Sequence, residues 1–399
     1  MPDSAIPFDT RYTRRGYTVR TALFYCAIFV SAAVFGPFFP LWLTHHGIEP
    51  TGISIILSTN MLIGVILTPV FAMIADRSPD RAIVLTILCW LTFAFACGFL
   101  LTPTFWGVLA AVIGLSVFGK PQVPLAEAIT LSGVRRYGVD YATARMPGSI
   151  VFMVCAFVAG FGIEKIGIDA WPLVYVPAVI LPAFVALAMP RVGRPRYSTP
   201  IAALAQGGAF GLLRSRPFVT MLTASSLVGA SHAMLHGFSS IYWSQLGYSG
   251  AWIGAFWAVS VIAEVAFFRV SSRFIARFGA RNLLMAAGLA GAARWFLFPL
   301  LGGGWFGATG FLVIQLAHAL TYAAAHLCTQ HLIVRDIDEG DLGAAQSLVF
   351  LTTNLTMGLL IAAGGPLYVS LGGFSFWTMA VMSAAAAVAA WQLPEGEVQ

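Results

Sequence analysis

The chain has 399 residues, of which 59% are hydrophobic and only 10% charged. That balance excludes an ordinary soluble domain and describes an integral membrane protein. The formal charge of +6 gathers in no basic soluble domain, so a nucleic-acid partner has no footing, and Cys26, Cys89, Cys97, Cys155 and Cys328 stand singly, without the paired spacing of a disulfide framework or zinc site.

A helix needs roughly 20 apolar residues to cross the hydrocarbon core of a bilayer. Segments of that kind are predicted at 21–44, 53–74, 82–102, 105–131, 146–166 and 170–190, then at 217–243, 252–271, 283–301, 306–333, 345–370 and 374–393. The first follows a polar stretch, exceeds the length of a signal-peptide core and runs straight into a second span, so it reads as retained. The expected fold is an all-α membrane protein of 12 transmembrane helices in two pseudo-symmetric six-helix halves. They are an N-terminal bundle at 21–190 and a C-terminal bundle at 217–393, joined by a central loop at 191–216. A segment at 1–20 and a tail at 394–399 complete the chain.

Basic residues mark alternate loops. Arg11, Arg14, Arg15 and Arg20 precede span 1; Arg77 and Arg81 follow span 2; Arg135 and Arg136 follow span 4; Arg191, Arg194, Arg196, Arg214 and Arg216 fill the central loop. Arg273, Arg277 and Arg281 follow span 8, and Arg335 follows span 10, whereas the opposite loops together hold only Lys165. The positive-inside rule then places both termini and the central loop in the cytoplasm, in a cell's inner (plasma) membrane.

Each half carries a basic turn after its second span: ADRSPDR at 75–81 and SRFIARFGAR at 272–281. Two six-span halves with matching turns predict a duplicated transporter.

Charges inside the spans are few. Glu127 and Lys120 lie in span 4, Arg145 opens span 5, Glu264 and Arg269 lie in span 8, and Arg294 lies in span 9. A charge at the bilayer centre costs about 2.5–3.5 kcal/mol even on the lenient insertion scale, so such residues seek a partner or a polar cavity. His232 and His236 are four apart in span 7, on one helical face, and Gln315, His318 and Tyr322 share a stripe of span 10. The histidine pair reads as cavity lining, as a hydrogen-bonded structural pair, or as a metal site, the last poorly supported with no acid beside it. Glu127 and Arg145 can equally form a structural ion pair, and Lys120 can snorkel to the cytoplasmic edge. No cofactor is implied, and nothing requires more than a monomer.

The ADRSPDR turn resembles the loop between spans 2 and 3 of the major facilitator superfamily, Gly-x-x-x-Asp-Arg-x-Gly-Arg-Arg. Asp76, Arg77 and Arg81 match, while Ala72 stands at the first glycine; the resemblance implies a gating role for the three. Within PLAEAI (124–129) and ARMPG (144–148), Glu127 and Arg145 resemble the substrate-binding charge pair of lactose-permease-type proton symporters, in residue types and in interval. Glu264, Arg294 and His318 fall where that family has its span 8 carboxylate, span 9 arginine and span 10 histidine of proton coupling. Thr321 stands where those symporters carry a further carboxylate, Phe152 replaces the tryptophan that stacks on sugar, and the span 7 histidines stand where aspartates are expected. Residues 229–268 are similar to the phenylpropionate permease group of the same superfamily.

The resemblance implies a proton symporter importing a small aromatic carboxylate such as 3-phenylpropionate, not an enzyme. Its alternatives are a sugar or nucleoside proton symporter and an efflux antiporter. Substrate-binding candidates are Glu127, Arg145, Lys120, Phe152, His232 and His236. Burial of a carboxylate disfavours its charged form, which suits Glu264 to proton exchange with Arg294 opposing. Arg145 suits an anionic cargo because its planar fork grips a carboxylate bidentately.

Overall fold

The structure, a computed structural model, describes residues 11–101, 103–193, 209–303, 306–338 and 341–394. The first half of the segment 1–20, most of the central loop and most of the tail lie outside the described residues. Among those described every regular element is helical. The N-terminal half holds span 1 (Arg14–His45), span 2 (Pro50–Arg77), span 3 (Arg81–Ala96), span 4 (Phe105–Gly119 and Gln122–Tyr137), span 5 (Tyr141–Ile166) and span 6 (Trp171–Leu187). The C-terminal half holds span 7 (Arg216–Ala230 and Ala233–Gln245), span 8 (Gly250–Phe268), a short helix (Ser271–Phe278) and span 9 (Ala280–Leu297). Span 10 (Gly307–Leu316, Ala319–Ala324 and Ala325–Asp336), span 11 (Leu342–Leu371) and span 12 (Phe376–Trp391) complete it.

Local chemistry sets the starts. The side chains of Thr13, Asp80, Thr104 and Asp140 accept backbone N–H groups that the first turns of spans 1, 3, 4 and 5 leave unpaired. Among the described residues eleven continuous runs are long and apolar enough to cross a membrane, and the last, Leu342–Trp391, has 50 residues. It contains spans 11 and 12, because Gly372 at φ 56° and ψ −133° reverses the chain in a conformation that disfavours a side chain.

Three spans predicted as unbroken are interrupted. Span 4 breaks at Lys120 and Pro121, where proline has no N–H to continue the ladder. Span 7 breaks at Ser231 and His232. Span 10 loosens to π-helix at Ala319–Ala324, an insertion that recurs at functional sites.

Buried apolar residues form three clusters. One includes Tyr17, Tyr25, Ala75, Leu125 and Met189 of the N-terminal half, and another Phe218, Leu284, Ile333 and Ala390 of the C-terminal half; both lie toward the basic loops. The third joins the halves at the opposite end through Phe38, Trp42, Ile53, Trp171, Phe238, Trp243, Phe298 and Phe376. Spans 5 and 8 touch there so closely that a Cβ on Gly254 would meet the Ala156 carbonyl oxygen, and one on Gly160 the Gly250 carbonyl. The halves therefore share one apolar cluster at the sealed end, while at the basic end each keeps a cluster of its own.

Candidate functional site

In the C-terminal half the fully buried Arg294 organises the site. Its Nη1 donates to Thr321 Oγ1 at 2.9 Å and to His318 Nδ1 at 3.1 Å, and lies 3.4 Å from His232 Nε2. Its Nη2 donates to Gln315 Oε1 at 2.6 Å, and Gln315 is itself fixed by donating to the Phe256 carbonyl at 3.1 Å. The guanidinium also lies 4.3 Å from the Trp295 ring centroid, a favourable setting for a desolvated cation. No carboxylate touches it among the described residues.

The counter-charge arrives through a ring. An arginine only donates, so the lone pair of His318 must sit on Nδ1, leaving Nε2–H to meet Glu264 Oε1 at 2.7 Å. His232 is ordered the same way: its Nδ1 donates to the Val228 and Gly229 carbonyls, leaving Nε2 to accept from Thr321. The Tyr322 ring stacks on His318 with 5.1 Å between centroids, and its side chain is exposed. The break of span 7 and the π-turn of span 10 bring these two histidines and Thr321 onto one point of span 9.

The N-terminal half faces this network with a different arrangement. Glu127 and Arg145 form no direct ion pair: Tyr141 donates its hydroxyl to Glu127 Oε1 at 3.4 Å. The guanidinium of Arg145 lies over Phe29 at 4.4 Å and Tyr25 at 5.1 Å. Phe152 meets Phe29 edge to face at 6.3 Å, so it adjoins the arginine's platform rather than the arginine. Arg145 is within electrostatic range of Glu264, as is His326 from span 10.

Of the span 7 pair, His232 is wholly buried, whereas His236 is exposed, packs beside Trp257 at 5.5 Å and lies within range of Lys120. Lys120 sits at the break of span 4, its stem against Gly64 of span 2. In the turn after span 2, Arg81 donates to Asp76 Oδ1 from Nε at 2.9 Å and from Nη2 at 2.7 Å, while Arg77 is exposed. Asp80 escaped the sequence reading. It caps span 3 and accepts the Gly193 N–H at 2.7 Å, tying the start of the central loop to this turn, and its place just before the helix was the available signal. Tyr25, Phe29 and Tyr141 also escaped it, because aromatic residues on apolar spans carry no sequence mark of a site. Among the described residues no three His, Cys, Asp or Glu side chains converge as a metal cage requires.

A family model described as MFS_1 like family matches residues 18–382. The chain is 29% identical over 377 residues to a probable 3-phenylpropionic acid transporter of Escherichia coli (strain K12), covering 91% of this chain and 94% of that one. It is 25% identical over 277 residues to a maltose permease of Geobacillus stearothermophilus, covering 69% of each. Among solved structures, the nucleoside transporter NupG superposes with a TM-score of 0.77 at 15% identity over 94% of this chain and 98% of that one. A bacterial homologue of the lysosomal transporter Spinster, inward-facing and unoccupied, superposes with a TM-score of 0.71 at 15% identity over 96% and 98%.

Proposed function

The chain belongs to the MFS_1 like family of major facilitator transporters, and from that membership we propose that it is a proton-coupled symporter importing a small aromatic carboxylate such as 3-phenylpropionate. The supporting observation is that Arg145, on its ring platform, lies within electrostatic range of Glu264, whose carboxylate meets His318 and through it Arg294. By the positive-inside rule the basic end is the cytoplasmic side of the inner membrane, and the shared apolar cluster lies toward the opposite side.

Arg145 grips the cargo's carboxylate, with its ring against Phe29 and Phe152. An anion on Arg145 screens that cation from Glu264, so the carboxyl of Glu264 keeps its proton more readily when cargo is bound. By linkage the proton raises cargo affinity equally. His318 carries the Glu264 end of the relay, and Arg294 restores the ionised state after release. Lys120 from span 4 and His236 from span 7 line the cargo's path, His232 positions Thr321, and Asp76, Arg77 and Arg81 hold the cytoplasmic gate.

The test is uptake of labelled 3-phenylpropionate, with maltose and uridine in parallel, into proteoliposomes under an inward proton gradient, for the wild type and Glu264→Gln. Gradient-driven uptake of the aromatic acid is expected, lost in the variant while exchange persists. Uptake of maltose or uridine instead overturns the cargo assignment, and proton-driven export overturns the direction.

A further inference from the structure

We propose that the short helix Ser271–Phe278, between spans 8 and 9, is a docking surface for the headgroups of anionic phospholipids. The two basic turns of the pseudo-repeat differ in how they treat their charge. In the N-terminal half, Arg81 is bound to Asp76, and Asp80 stands in the same turn. In the C-terminal half, Arg269, Arg273 and Arg277 have no acid in their own turn, for the chain holds no Asp or Glu between Glu264 and Asp336. Arg281 is engaged, donating to the Trp391 carbonyl at 2.7 Å. The side chains of Arg269, Arg273 and Arg277 are exposed and make no hydrogen bond or ion pair among the described residues, and the Arg277 guanidinium lies 5.4 Å from the Phe278 ring centroid.

Their spacing is regular. On the helix Arg273 and Arg277 are four residues apart, one helical turn, and Arg269 stands just ahead of it at the C-cap of span 8. Beside that cationic row runs an aromatic one. Phe274 and Phe278 are 41% and 44% exposed, with ring centroids 5.9 Å apart, and Phe267 continues the row at 5.7 Å from Phe274. A cationic stripe beside exposed rings is the pattern of a helix lying in a membrane interface, rings toward the acyl boundary and cations at the phosphates.

The occupant follows from place and charge. The helix is tied to the ends of two membrane spans, Phe268 on one side and Ala280 on the other, so it cannot leave headgroup depth. Guanidinium forks match phosphate oxygens bidentately, and a zwitterionic headgroup leaves the row's charge uncompensated. The proposal is independent of the cargo assigned above.

The experiment uses the full chain in phosphatidylcholine nanodiscs with or without phosphatidylglycerol, and native mass spectrometry of the chain released from them, for the wild type, for Arg269→Gln/Arg273→Gln/Arg277→Gln, and for Arg14→Gln/Arg15→Gln as a charge control. Wild type and control are expected to retain phosphatidylglycerol over phosphatidylcholine by at least tenfold, and the triple variant by less than threefold. Added glycerol phosphate at millimolar concentration should leave the preference unchanged; displacement by it would assign the row to free phosphate compounds and overturn the lipid. Equal retention by the triple variant also overturns the proposal. Should the triple variant fail to purify, Phe274→Ser/Phe278→Ser decides by the same threefold criterion.

Discussion

Arg294 shows how a single buried charge is made tolerable and useful. Every group within reach of its Nη atoms is neutral, and its counter-charge on Glu264 is reached through the imidazole of His318. Gln315→Leu removes one charged hydrogen bond and should cost about 1.5–3 kcal/mol, read as a lowered melting temperature of the purified protein; an unchanged melt would mean Arg294 finds another acceptor. Tyr141→Phe deletes the hydroxyl on Glu127, a bond worth roughly 0.5–1.5 kcal/mol, and should lower the melting temperature less than Gln315→Leu does; an unchanged melt would mean Glu127 finds another donor. At the entry of span 5, Asp140 lies outside the membrane, and the Thr143 hydroxyl, with backbone N–H groups, holds its carboxyl below the usual range. Its stabilisation is present at neutral pH, above the unfolded range, and lost as pH falls through the folded value. Asp140→Asn should therefore flatten the acid limb of a melting-temperature profile. The residues that carry charge at this scale were legible in the sequence, since a charge in an apolar run stands out; their partners Tyr141 and Phe29 were not, because an aromatic side chain costs little in a span and leaves no trace, and Thr321 stood out only as the place of a missing carboxylate, not as a partner of Arg294.

At the scale of elements, the breaks matter as much as the helices. Periodicity located the spans because each needs one long apolar run, and it missed the interruptions because a few changed backbone bonds leave hydropathy untouched. The break at Ser231 and His232 coincides with the divergence of two histidines one turn apart, His232 going to Arg294 and His236 to an exposed place beside Trp257. Contact between spans depends on glycine where backbones meet. Gly254→Val places a branched side chain against the Ala156 carbonyl, so spans 5 and 8 must part at the sealed end. The expected outcome is a protein that binds cargo but no longer moves it, tested by equilibrium binding beside uptake; full transport would show that the contact yields.

Across the whole molecule the two halves hold one another through their sealed end. Glu164, on span 5, accepts the Ala251 N–H at 3.2 Å at the start of span 8, so a carboxylate of one half caps a helix of the other, where the helix dipole favours it. Glu164→Ala should loosen this seam and raise several-fold the labelling rate of a cysteine at Ile253, a buried position beside it, by a membrane-impermeant maleimide in a cysteine-free background. An unchanged rate would leave the apolar cluster as the whole of the seal. The amino-acid sequence alone determined the number and rough position of the spans, the duplication, and which charges had to find partners, because hydropathy and the cost of burying charge act residue by residue along the chain. Only the tertiary structure decided that Glu127 meets Tyr141 rather than Arg145, that His318 stands between Glu264 and Arg294, and that the sealed end lies away from the basic loops. Each of these depends on how broken helices turn their faces toward one another, and that is set by packing between distant segments.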